Sequence, residues 1–127
     1  MAQLTAAQVE VLLRFAADEA PHTRLGRRWL EILRAHQQEI LQRYVASPPL
    51  RQHIEDASGQ AAVLIESLDN DHPRVIDDSA LEPVQAALTE LDTRGSAELR
   101  GATAEIRQDV AGVRGKTIRQ ALGPRDS

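Results

Sequence analysis

The chain has 127 residues, 42% hydrophobic but only 2% aromatic, and a net charge of −4. That length suits one domain with a real core and is too short for two, and a core almost without aromatics is built from Leu, Ile, Val and Ala along helix seams, which excludes a β-sandwich. Zero Cys excludes disulfides, thiolate zinc sites and cysteine nucleophiles together.

Thr5 opens the first helix as its N-cap, with Gln8 completing a capping box. Val9, Leu12, Leu13 and Ala16 form the apolar stripe, broadened by Val11 and Phe15. The pattern stops at Glu19 or Ala20, because Pro21 disfavours helical geometry in the residue before it. After a turn over Ala20 to Thr23, Thr23 caps a second helix that runs from Arg24 to Ser47. Leu25, Trp29, Leu33, His36, Ile40 and Tyr44 share one of its faces, which Ile32 and Leu41 widen. Pro48-Pro49 then reads as a stiff, extended bend. The third helix begins near Leu50 with the seam Leu50, Ile54, Ala57, Ala61, Leu64 and Leu68, whose 3.5-residue period suits knobs-into-holes packing. Its Ala positions admit a bulky partner such as Trp29, and Gly59 faces away from the seam.

Residues 69–78, Asp-Asn-Asp-His-Pro-Arg-Val-Ile-Asp-Asp, form an acidic loop between a helical subunit over 1–68 and a C-terminal helix pair over 79–122. Asp69 and Asp71 have the first two ligand spacings of a calcium loop. Pro73 occupies the next ligand position and no Gly follows for the sharp turn, so a solvated loop is the better reading. Charge is uneven around it: residues 55–92 carry ten acids against Arg74 alone, between two mildly basic ends. Such an arrangement suits a solvated face, or an acidic face for a basic partner. Asp78 or Ser79 caps the fourth helix, with Leu81, Val84, Leu88 and Leu91 on its seam and Pro83 in its first turn. Ser96 caps the last, which reads Leu99, Thr103, Ile106, Val110, Val113 and Thr117, then Ile118 and Leu122, with Gly123-Pro124 as its stop. That seam is thin. Two positions are Thr, and Gly101, Gly112 and Gly115 lie off it at about 0.8 to 1 kcal/mol each in helix propensity. Such a helix needs another surface to order it: its own bundle, a sister subunit or a foreign partner.

Chemistry is sparse. No two of His22, His36, His53 and His72 stand four apart on a helix, and none completes a Glu-x-x-His element, so no metal ligand set is read. His36, on the apolar stripe, reads as a core histidine. There is no Gly-x-Ser-x-Gly, no glycine-rich phosphate loop and too few aromatics for a substrate pocket, so neither an enzyme nor a cofactor is expected. Met1 to Thr5 lacks the basic-then-apolar pattern of a leader, and no run approaches a membrane span, so a cytoplasmic protein is expected. The last helix carries Arg107, Arg114, Lys116 and Arg119 but no Trp or Phe to enter a headgroup layer, so no membrane role is expected. Fourteen Arg against the single Lys116, with abundant Ala, match the bias of a GC-rich, bacterial-like coding genome.

The expected fold is therefore all-α: about five helices in an antiparallel bundle with coiled-coil-like seams, in one domain over 1–127. The expected function is a small interaction protein, an adaptor, assembly factor or inhibitor, that binds another protein and forms a homo-oligomer through helical seams. Leu99, Ile106, Val110 and Val113 are its expected partner surface. The alternative is a transcriptional regulator in which residues 5–47 form a helix-turn-helix. Arg24, Arg27 and Arg28 would then enter DNA, against an acidic charge balance that opposes phosphate binding.

Overall fold

The computed structural model describes residues 4–124, and it is 82% helix with no strand among them. Seven α-helices take the place of five among these residues: α1 Ala6–Asp18, α2 Arg24–Ala35, α3 Gln37–Ala46, α4 Pro48–Glu66, α5 Asp78–Arg94, α6 Ala97–Val113 and α7 Ile118–Leu122, with 3₁₀ turns at Ala20–His22 and Ser67–Asp69. None is long and apolar enough to cross a membrane.

Short-range capping sets most of the helix starts. The Gln8 amide donates to Thr5 Oγ1 and the Thr5 amide to Gln8 Oε1, each at 3.1 Å, closing the expected box. Thr23 accepts from the Gly26 amide at 3.1 Å and Ser96 from the Leu99 amide at 3.2 Å. The prolines correct the sequence reading. Ser47 caps α4, so Pro48 and Pro49 form its first turn, where a missing N–H costs nothing. Asp77 caps α5 through the Ala80 amide at 3.0 Å, which leaves Pro83 inside that helix, past its first turn.

Two expected helices are broken. At His36 the backbone leaves helical geometry (φ −114°, ψ 13°), dividing the Arg24–Ser47 stretch into α2 and α3. Each piece then turns its own face inward, so Leu33 and Leu41 are 49% and 58% exposed instead of lying on one buried stripe. The last helix stops at Val113 because Gly115 takes φ +81°, a left-handed conformation that a Cβ disfavours. The loop after α4 is clasped to this turn: the Ile76 amide donates to the Lys116 carbonyl at 2.7 Å and the Gly115 amide to the Ile76 carbonyl at 2.8 Å. Thr117 and Gln120 form a second capping box that starts α7.

The core lies along α4, α5 and α6. Leu64, Ile76, Ala80, Leu81, Val110 and Val113 form one cluster, onto which Leu25 and Trp29 of α2 and Ile118 of α7 pack. Leu50, Ala87, Leu91 and Leu99 form the other, joined by Ile40 of α3. Leu64 shares a cluster with Leu81, and Leu50 with Leu91, so α4 and α5 run antiparallel; Leu91 with Leu99 and Leu81 with Val110 make α5 and α6 antiparallel as well. Trp29 thus packs on the Leu64 cluster rather than on the Ala positions of the α4 seam.

Gly26 allows the closest backbone approach in the N-terminal half. A Cβ there would stand 2.3 Å from the Ala20 carbonyl oxygen and 2.6 Å from Thr23 Oγ1, the oxygen that caps α2. Main chain cannot swing aside as a flexible side chain does. Gly26→Ala should therefore cost about 2 to 3 kcal/mol, overpacking strain outweighing the gain in helix propensity. The check is the urea midpoint at constant m value; an unshifted midpoint would contradict the close packing of α2 on the 3₁₀ turn.

Candidate interaction site

The expected partner surface on α6 is occupied by the chain itself. Leu99, Val110 and Val113 are 1%, 3% and 7% exposed, and Ile106 is half-buried against the Leu64 cluster. This corrects the sequence reading. The seam is thin but finds its complement in Leu81, Ala87 and Leu91 of α5, so the surface that orders α6 lies in its own bundle. The two Thr positions that weaken the seam have separate explanations. Thr117 is the cap of α7, whereas Thr103, 1% exposed, donates its hydroxyl to the Asp92 carboxylate of α5.

Asp92 also receives the Arg107 guanidinium, which reaches Thr89 Oγ1 at 3.3 Å. Burial by itself pushes the Asp92 carboxyl up, but the Thr103 hydroxyl and Arg107 outweigh it and hold it below the ordinary carboxylate range. A carboxylate whose folded pKa is depressed contributes stability that is fully present at neutral pH. That contribution is lost as pH falls through the unfolded value near ~4 toward the folded one. Asp92→Asn should cost about 1 to 2 kcal/mol at pH 7 and flatten the loss of stability between about pH 5 and pH 3. Urea titrations at stepped pH read both; an acid slope equal to wild type would remove Asp92 from the account. Glu39 of α3 makes a similar tie to the α5–α6 turn. Its carboxylate accepts the Ser96 hydroxyl and amide, each at 2.7 Å, and these bonds lower its pKa.

Of the arginines of the helix-turn-helix reading, Arg24 and Arg28 are exposed and Arg27 is half-buried, and Arg28 faces acids of α6. Arg28 lies 3.5 Å from Asp109 and 3.9 Å from Glu105, both on α6, and Trp29 Nε1 donates to the same Asp109 at 2.9 Å. Arg27 donates to the Pro21 carbonyl at 3.4 Å, and Arg24 is exposed. The start of α2 therefore serves as a bolt between α2 and α6, holding the N-terminal helices against the core. His36, read as a core residue, is half-buried at the α2–α3 break. Among the described residues no group of three or more His, Asp or Glu gathers as metal ligands would; the side chain of Asp69 lies outside that description.

What is left on the surface is apolar and N-terminal. Only Gln8, Glu10, Arg14 and Asp18 of the thirteen residues of α1 are polar, yet no residue of α1 is buried. Leu12 and Phe15 are half-buried toward the protein, whereas Val9 and Leu13, placed by sequence on the inward stripe, are 39% and 66% exposed. Leu41 and Val45, one turn apart on α3, are 58% and 67% exposed. A helix that is apolar nearly all round is normally a covered helix, and this signal is present in the sequence, where it reads only as a broad stripe. The surface also carries clefts. One of about 570 Å³ lies between the start of α1, α4 and α5. Another, of about 440 Å³, lies along α5 and α6 beside Arg107 and Arg114, and Arg114 pairs there with Asp78 at 3.1 Å. No protein-family model, no characterised protein sequence and no solved structure matches the chain.

Proposed function

We propose that this chain is a non-enzymatic helical interaction protein, an adaptor, assembly factor or inhibitor, that self-associates through the outer face of α1. The observation that carries this reading is the mismatch between the composition of α1 and its burial: the helix is apolar on nearly every side, and its own fold covers only one. Exposed Val9 and Leu13 lie one turn apart, flanked by Glu10 and Arg14, which pair with each other at 2.6 Å. That face is self-complementary. In an antiparallel arrangement Glu10 stands opposite the Arg14 of a second copy, and Ala6 and Ala17 at the two ends let the helices approach closely. Covering Leu13 fully is worth about 1.5 to 3 kcal/mol per copy. The exposed pair on α3, Leu41 and Val45, offers apolar surface to a further protein.

Native mass spectrometry and sedimentation of the full chain test this reading. Wild type is expected as a dimer or higher oligomer, and Leu13→Asp as a monomer with an unchanged circular dichroism spectrum. A monomeric wild type, or an oligomer indifferent to Leu13→Asp, would reject α1 as the assembly face.

A further inference from the structure

We propose that the cleft between the start of α1, α4 and α5 is a docking groove for a basic amphipathic helix of another protein. The inference rests on the interaction reading in kind, but it uses a different surface from the outer face of α1.

Part of the lining is apolar and short: Gly59 contributes no side chain, and Val63, Pro83 and Ala86 contribute small ones, beside polar Gln8, Gln60 and Ser79. The charged part is acidic: Glu55, Asp56 and Glu82 line the cleft beside His53, with no Lys or Arg among the lining residues. Glu55 accepts from the Tyr44 hydroxyl at 3.4 Å and Asp56 from the Gln52 side-chain amide at 2.9 Å. These carboxylates belong to the part of the chain, residues 55–92, that holds ten acids against one Arg. The backbone adds to the same potential. Pro83 has no N–H to donate to the carbonyl of Ser79 one turn earlier, and Ser79 also lines the cleft.

The arrangement selects among cations. The carboxylates are distributed along the groove, and no three of them gather as ligands of one ion would. On α4 the lining runs from His53 to Val63, about 15 Å of helix. That is the length over which a bound helix presents apolar anchors at i, i+4 and i+7 with charges beside them. A cleft lined by short apolar residues and by carboxylates is complementary to a helix with a Leu stripe flanked by Lys or Arg, and it disfavours an acidic one.

The probe is a fluorescein-labelled synthetic helix with a Leu stripe and flanking Lys, read by fluorescence anisotropy against the full chain, with the same peptide bearing Glu for Lys as control. The Lys peptide is expected to bind and the Glu peptide not to. Glu55→Gln with Glu82→Gln should weaken binding about tenfold and flatten its salt dependence. Gly59→Leu, which adds bulk to the lining without changing charge, should weaken it at least about tenfold. Gly59→Ala should bind as wild type, because its Cβ would lie 3.9 Å from Leu4 Cδ2, an ordinary contact. Thermal melts establish that each variant is folded, and the Gln pair keeps the test decisive should Gly59→Leu fail to fold. No binding, equal binding of the Glu peptide, or a folded Gly59→Leu that binds undiminished overturns the proposal. Leu13→Asp is expected to leave peptide binding intact, so loss of self-association and loss of the groove are read separately.

Discussion

Leu99→Asp is expected to abolish cooperative folding rather than to weaken a contact with a partner. Leu99 stands in the first turn of α6, 1% exposed, enclosed by Leu50, Ala87 and Leu91. Removing its side chain from this cluster forfeits about 1.5 to 3 kcal/mol of apolar burial. A carboxyl group in its place faces apolar neighbours, so it stays protonated at a further cost of about 1 to 3 kcal/mol for its unpaired polar atoms. Together these come to about 2.5 to 6 kcal/mol, which reaches the low end of the stability of an ordinary small domain, about 5 to 15 kcal/mol. The expected result is a flattened thermal transition by far-ultraviolet circular dichroism. If α6 were instead a free seam waiting for a partner, Leu99→Asp would melt as wild type does. Leu13→Asp, on an exposed position of α1, should shift the stability of the monomer by no more than about 0.5 kcal/mol.

Leu50→Ala should cost about 3 to 5 kcal/mol while leaving the fold recognisable. Leu50 is 1% exposed and touches a cluster drawn from four helices, with Ile40 of α3, Ile54 of its own helix, Ala87 and Leu91 of α5, and Leu99 of α6. The neighbours cannot close the gap cheaply. Ala87 has no reach, and the start of α4 is held by the Ser47 cap and by Arg51, which donates to the Tyr44 and Val45 carbonyls at 3.1 and 2.7 Å. Leu50→Met, which nearly conserves volume, should cost less than about 1.5 kcal/mol. Guanidinium denaturation separates the two, and equal midpoints would show that the site collapses around a smaller side chain. Because Leu50 and Leu99 share a cluster, truncating both should depart from additivity.

The burial of α6 changes how assembly has to be probed. Ending the chain after Asp92 removes Leu99, Thr103, Val110 and Val113 from the core, so such a truncation reports on folding before it reports on oligomers. Single substitutions on the outer face of α1 keep that core intact and are the cleaner measurement.

Several errors of the sequence reading share one origin. A proline is harmless in the first turn of a helix, and in this chain that holds for Pro48 and Pro49 and not for Pro83. Which proline falls there depends on where each helix starts, and Ser47 and Asp77 proved to be the caps. The box formed by Thr117 and Gln120 repeats the one formed by Thr5 and Gln8. The apolar period hides it by continuing smoothly across Gly115, since a period carries no information about a single left-handed residue. The exposure of the outer face of α1 is harder to read from sequence. Val9 and Leu13 satisfy a helical stripe equally well whether that stripe faces the core or the solvent.

By itself the sequence determined the helical class, the caps at Thr5, Thr23 and Ser96, and the inward faces of α5 and α6. Each of these rests on contacts or periods within about one to two turns of chain. Only the tertiary structure decided that α6 is covered by α5, that Arg28 and Trp29 are spent on Asp109, and that the outer face of α1 is left exposed among the described residues. Those outcomes depend on residues far apart in the chain, eighty positions in the case of Trp29 and Asp109. Helical periodicity shows that a face is apolar; what covers it is settled by packing between elements.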